Sequence, residues 1–254
     1  MLKNISTRSN IVALTSIMAT VFLLFIFHAC DNEEETPENN PKPFKTQTYS
    51  IPDKTNYIQE TSRGLYDQFY FIGWSDDGKV AYIKEPADEA TGFYFFNFIV
   101  YDTESNEQLF EWKIDTEDEQ YEGNLEQTWE NNRELFSKTL NKYKIYQSGG
   151  GFAAFPLMLN GKNYTIEQDT KYKTHEYFSF DVVSQATISL KQEEETKQIF
   201  SKQYPEDLII DIKTLGIIIN PDKSKGLLLI EEKQRGYEGP PHVSRLAISG
   251  CQLF

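Results

Sequence analysis

The chain has 254 residues, of which 39% are hydrophobic and 25% charged, so it can bury a core and is not disordered throughout. A formal charge of −14 repels nucleic-acid phosphates and anionic lipid heads, which makes both poor candidates as partners. Two cysteines, Cys30 and Cys251, exclude a disulfide-stapled scaffold and a cysteine-rich zinc site.

The first ten residues carry Lys3 and Arg8 and no acid, and Ile11 to Phe27 are 17 residues without a charge. A charged start followed by an apolar stretch is the layout of an export signal. The composition then changes abruptly: Cys30 is followed by Asp31, Asn32, Glu33, Glu34 and Glu35. The apolar stretch sits at the short end of what an uncleaved anchor needs. Ordinary signal cleavage is met by Ala29 but not by Phe27, two residues earlier.

Phe27-His28-Ala29-Cys30 resembles a lipobox, the motif of bacterial lipoproteins. The resemblance implies diacylglycerol on the Cys30 sulfur and cleavage after Ala29, with residues 1–29 as signal peptide. Phe27 stands where Leu is usual, and His28 where a small residue is usual. The acidic run after Cys30 resembles the export tags of surface lipoproteins in some Gram-negative bacteria, which implies an outer-membrane, surface-facing location. Two or three acyl chains on one residue suffice for stable anchoring. Removing residues 1–29 leaves 23 basic against 39 acidic residues, a net charge of −16. Residues 30–48 are polar, acidic and punctuated by Pro37, Pro41 and Pro43, and read as a disordered tether. As a flexible coil, Asp31 to Thr48 spans about 20–25 Å.

Residues 49–254 are expected to form one mostly β domain. Eighteen Phe, 15 Tyr and 3 Trp favour pleated, half-buried surfaces. Phe69–Ile72 and Val80–Ile83 flank Ser75-Asp76-Asp77-Gly78, a hairpin signal because Gly accepts the positive φ of the turn. Strands follow at Phe93–Tyr101 and Gln108–Ile114. Leu125, Trp129, Asn132, Phe136, Leu140 and Tyr143 then fall at steps of three and four, which predicts one amphipathic helix near 124–145. Asn124 with Gln127 resembles a capping pair, and Gly149-Gly150-Gly151 is expected to end the segment. Asn160-Gly161 predicts a hairpin between Ala153–Leu159 and Asn163–Gln168. Further strands are expected near 176–183, 186–192, 207–213, 215–220, 226–232 and 242–249.

A faint repeat joins residues 72–102 to residues 215–249: strand, turn, strand, acidic Gly-containing loop, strand. Trp74-Ser75-Asp76-Asp77-Gly78-Lys79 is similar to the W-S-x-D-G-K turn of propeller blades. A propeller needs at least four blades of four strands, and about eleven strands are legible, so a full propeller is excluded. The same turn, with Phe98–Asp102 and Gly236-Tyr237-Glu238-Gly239-Pro240, resembles a family of predicted secreted bacterial proteins of unknown function. That resemblance implies export and a mainly β (α+β) fold, with antiparallel sheets of propeller-blade-like hairpins, and implies no activity.

Familiar catalytic kits are missing. After Cys30 there are two histidines, His175 and His242, too few for a His-rich metal site. Gly73–Gly78 is one residue too long for a serine nucleophile elbow and lies in a hairpin. Asp115, Glu117, Glu119, Tyr121, Gly123 and Glu126 match the spacing of a calcium loop, but Gln120 occupies the place that needs Gly. Gly149-Gly150-Gly151 lacks the Lys-Ser/Thr of a phosphate loop. No cofactor and no metal are expected. The alternative is a carboxylate-dependent hydrolase of an extracellular polymer, with acids drawn from Asp88, Glu89, Glu232 and Glu238.

The expected role is therefore a non-enzymatic binding or structural module, held on a membrane by lipid on Cys30, with an unknown protein or small ligand as partner. Its candidate ligand-binding residues are Trp74, Asp88, Glu89, Tyr237, Glu238 and His242. Two acidic loops, one holding Asp88, Glu89 and Gly92 and the other Tyr237, Glu238 and Gly239, come together at one end if the repeats pack side by side.

Overall fold

The structure, a computed structural model, describes residues 43–57, 65–88, 95–115, 123–148, 151–177, 179–205, 208–236 and 239–254. Cys30 and the calcium-like spacing from 116 to 122 lie outside them. The fold below is that of the unit Lys45–Phe254.

Fourteen strands and one helix are seen among the described residues. In chain order the strands are β1 (Leu65–Tyr66), β2 (Gln68–Trp74), β3 (Lys79–Glu85), β4 (Phe95–Asp102) and β5 (Glu107–Asp115). Helix α1 (Leu125–Lys142) follows, then β6 (Tyr146–Gln147), β7 (Phe152–Ala153), β8 (Leu157–Leu159) and β9 (Lys162–Thr174). The chain ends with β10 (Asp181–Gln192), β11 (Glu195–Gln203), β12 (Ile209–Ile219), β13 (Lys225–Gln234) and β14 (Val243–Gln252). They form three sheets. Sheet one runs β5-β4-β3-β2-β6, sheet two β1-β14-β13-β12-β7, and sheet three β11-β10-β9-β8. Pairing is antiparallel except for β1 on β14. The protein is mainly β with a single described helix, and it is not a propeller.

Strand alternation explains the layering. In β3, Val80 and Tyr82 point to one side and Ala81 and Ile83 to the other, and all four are buried. The Val80 side, with Phe69, Phe71 and Ile99, packs on Ile218, Leu227, Leu229 and Leu246 of sheet two. The Ala81 side, with Phe96 and Phe98, packs on Trp129, Phe136 and Leu140 of α1. The opposite face of sheet two, with Leu228 and Ile230, meets Val183, Ala186, Ile188 and Leu190 of sheet three. Helix, sheet one, sheet two and sheet three thus stack in order around three apolar layers. Each fully buried side chain of Leu, Ile or Phe size contributes about 1.5–3 kcal/mol to such layers.

The sequence repeat has a structural counterpart, face to face rather than side by side. β2-turn-β3-loop-β4 and β12-turn-β13-loop-β14 are the centres of sheets one and two. Both turns close alike. Ser75 N–H donates to Lys79 O and Lys79 N–H to Ser75 Oγ, each at 2.8 Å. Asn220 N–H donates to Lys225 O (3.0 Å) and Lys225 N–H to Asn220 Oδ1 (2.8 Å). Both leading strands carry a bulge, at Phe71/Gly73 and Thr214/Gly216. Both glycines lie where a short edge strand closes in, because a Cβ on Gly73 would overlap Tyr146 O and one on Gly216 would overlap Ala153 O. Gly73→Ala is accordingly expected to displace β6 and to lower stability by about 1–3 kcal/mol, read from the urea midpoint. An unchanged midpoint would remove the close-approach argument.

Local readings are met in several places. Asn124 caps α1, its Oδ1 accepting from Gln127 N–H at 2.8 Å. The helix stops at Lys142 with Tyr143 as its cap, seven residues before the glycines, so the last member of the apolar stripe falls at the helix end. The β2–β3 turn places Gly78 at φ 90°, and the β8–β9 turn has Asn160 at 52° and Gly161 at 78°. Elsewhere the boundaries move. The segments 207–213 and 215–220, read as two strands, are covered by one bulged strand, β12, over Ile209–Ile219. The segment near 176–183, read as a strand, is mostly the turn between β9 and β10. β11 was not anticipated.

Cys251 is buried in the layer between sheets two and three, and burial pushes its thiol up to about 12. It is a small apolar core residue in this setting, not a nucleophile.

Candidate functional site

Three loops meet at one end of the sheets. They are the segment after β3 (described for 86–88), the β13–β14 loop (described for 235–236 and 239–242) and the β9–β10 turn (described for 175–177 and 179–180). Two clasps hold them. In the first, the Asp67 carboxylate is only 1% exposed. Ala87 N–H donates to its Oδ1 and Leu246 N–H to its Oδ2, both at 2.9 Å. The Arg245 guanidinium lies 3.3 Å from Oδ1 and also donates to Ala87 O at 2.7 Å. Lys84 Nζ stands 4.0 Å away. One carboxylate therefore joins the β1–β2 corner, the loop that leads to Asp88, and the start of β14. A buried anion needs this many donors to offset its desolvation.

The second clasp is Arg235. Its backbone N–H donates to Leu208 O at 3.0 Å, and its guanidinium stacks 4.3 Å from the centre of the Phe180 ring. Phe180 in turn stacks on His175, with centroids 5.8 Å apart and planes at 19°. The turn is closed by His175 N–H donating to Phe180 O (3.0 Å), Tyr177 N–H to His175 Nδ1 (3.1 Å) and Thr174 Oγ1 to Asp181 Oδ1 (2.9 Å). It encloses a depression of about 450 Å³ lined by residues 174–177 and 179–181. Tyr177 at its rim is 82% exposed.

Of the residues singled out from the sequence, Asp88 and His242 belong to this end. His242 Nδ1 accepts from Gly236 N–H at 3.4 Å and so braces its own loop. Glu89, Gly92, Tyr237 and Glu238 lie outside the described residues. Trp74 stands apart. It ends β2 beside the β2–β3 turn, at the opposite end of sheet one from the loop after β3, a strand length of about 20 Å away. It is 2% exposed and packs on Phe71 between sheets one and two, so its ring offers no face to a ligand.

Glu232, considered as half of a hydrolytic pair, is buried and engaged by cationic and phenolic donors. Lys202 Nζ lies 2.8 Å from its Oε1, and Tyr204 O–H donates to the same oxygen at 2.7 Å. Both donors tie β13 to the end of β11. Among the described residues, no group of three His, Cys, Asp or Glu side chains could hold a metal ion, and no helix is long and apolar enough to cross a membrane. A second hollow, of about 400 Å³, opens beside β2, where the segment Ser50–Asn56 faces Phe71, Gln147, Ser148 and Phe152.

No protein family, curated protein or solved structure matches this chain. The functional reading therefore rests on its own residues.

The sequence reading missed Asp67, Arg235, Arg245 and the His175–Phe180 turn. Asp67 sits between Tyr66 and Gln68 with nothing around it to mark a buried acid. The one signal available was aromatic density without alternation in His175-Glu176-Tyr177-Phe178-Ser179-Phe180, which was read as the start of a strand.

Proposed function

We propose that the chain is a lipid-anchored module of the bacterial envelope that binds a ligand with the loop end of its β domain and carries out no catalysis. The anchoring half is supported by Phe27-His28-Ala29-Cys30 between an apolar stretch and an acidic, proline-punctuated segment. The binding half is carried by one observation: three loops from three sheets are clasped at one end through Asp67 and Arg235, with an exposed aromatic turn among them. Loops fixed on a rigid sheet scaffold are where binding residues concentrate. Asp88, His242, Glu89, Tyr237 and Glu238 remain the proposed contributors from the two acidic loops.

Membrane fractionation of wild type beside Cys30→Ala tests the anchor. The wild type is expected in the membrane fraction after a salt wash. Once unfolded, it is expected to expose one reactive thiol, that of Cys251, because the Cys30 sulfur is blocked. Two reactive thiols per wild-type chain would contradict lipid on Cys30. For the binding half, the detergent-solubilised chain is expected to co-sediment with delipidated envelope fragments, and Arg235→Ala, which releases Phe180, is expected to weaken this. A chain that stays in the supernatant would overturn the binding role.

A further inference from the structure

The β9–β10 hairpin carries a surface that neither the anchor nor the acidic loops require. Along β9 the alternate residues Tyr164 and Ile166 face sheet two, and Gln168 ends the packed part. Its amide donates to Ile212 O at 2.7 Å and accepts from Thr214 N–H at 3.2 Å. Beyond Gln168 the same row continues as Thr170, Tyr172 and Thr174, hydroxyl and ring alternating on one face. Tyr172 is 51% exposed, and five residues further on Tyr177 stands almost wholly in solvent. Exposing both rings forgoes their burial, and the turn that presents Tyr177 is held by one backbone–side-chain bond, one side-chain–side-chain bond and a ring stack.

Charge narrows what such a surface accepts. Glu176 and Asp181 line the turn with Tyr177, and Asp211 acts on Tyr172, while Arg235 is stacked on Phe180 and Lys173 Nζ is bonded to Pro205 O, so an anionic polymer is repelled. Rigid tyrosine faces take the apolar C–H faces of sugar rings, and carboxylate and hydroxyl oxygens accept hydrogen bonds from sugar hydroxyls. We infer that the β9–β10 tip is a platform for an uncharged polysaccharide, which stacks on Tyr172 and Tyr177 and hydrogen-bonds to Glu176 and Asp181. This names the ligand class for the binding role proposed above and rests on it.

The test is migration of the full chain, in a detergent without a sugar head, through native gels cast with soluble β-glucan, α-mannan or dextran. Retardation is expected in at least one gel. Tyr177→Ala is expected to weaken it by at least about tenfold, Tyr172→Ala together with Tyr177→Ala to abolish it, and Tyr177→Phe to preserve it, since the ring face is kept. Both tyrosines are exposed, so unchanged circular dichroism and thermal unfolding will accompany these losses. Free migration in all three gels, or retardation that survives the double substitution, overturns the inference. If the chain sediments with envelope fragments yet migrates freely in every gel, the binding role stands and the polysaccharide does not.

Discussion

Asp67→Ala is expected to lower the free energy of unfolding by about 3–5 kcal/mol, because it leaves half-buried Arg245 without its carboxylate and two backbone N–H groups without acceptors. In a domain of this size that corresponds to a fall of roughly 10 °C in Tm. Asp67→Asn keeps the shape and one acceptor oxygen while removing the charge, and is expected to cost about half as much. The loss is also local. Amide exchange at Ala87 and Leu246 is expected to quicken more than exchange in sheet three, since these two N–H groups lose their acceptor directly. Chemical denaturation with exchange mass spectrometry reads both effects. A cost below about 1 kcal/mol would mean that the loop end is held by something other than this carboxylate.

Phe136→Ala is expected to cost a similar about 3–5 kcal/mol through a different mechanism. The Phe136 ring stacks on Phe98 at 4.4 Å, meets Trp112 edge-on at 5.2 Å and lies 5.5 Å from Trp129. It is fully buried, so truncation opens a cavity with aromatic walls that cannot collapse around it. Phe136→Leu fills most of that space and is expected to cost about 1 kcal/mol. Because α1 covers only sheet one, the Ala variant is expected to change tryptophan fluorescence from Trp112 and Trp129 before the unfolding of sheet three. Equal urea midpoints for Phe136→Ala and wild type would show that α1 is not part of the core.

What the sequence made legible follows physical strength. The β2–β3 hairpin and the Asn160-Gly161 turn were readable because a positive φ restricts the residue choice. The helix was readable because Trp129, Phe136 and Leu140 must all reach one sheet face. β11 was not, since Glu195, Lys197 and Gln198 make an edge strand that blunts pairing with other chains by carrying polar side chains where a buried strand carries apolar ones. Half of β9 was missed for a related reason: past Gln168 its row leaves the packed layer and no apolar pattern is needed. The site was legible in part. The repeat would bring the two acidic loops to one end if its copies packed side by side; they pack face to face, Arg245 of β14 joins Ala87, and Glu89, Tyr237 and Glu238 lie outside the described residues. Trp74 misled, because a tryptophan beside a turn reads the same whether it faces solvent or a second sheet. The clasps were invisible, since Asp67 and Arg245 are 178 residues apart and no local pattern links them.

The mature amino terminus bears most directly on the central claim. Trypsin cannot cut at Lys42, because Pro43 follows, so the first fragment of a processed chain runs from Cys30 to Lys45. Its mass in the membrane-extracted protein is predicted to exceed that of the bare peptide by a diacylglycerol group, with or without a further acyl chain, and no fragment containing Ala29 joined to Cys30 should be found. A fragment with unmodified Cys30 still joined to Ala29 would mean that the chain is held by an uncleaved apolar segment, and the lipid-anchored account would be wrong.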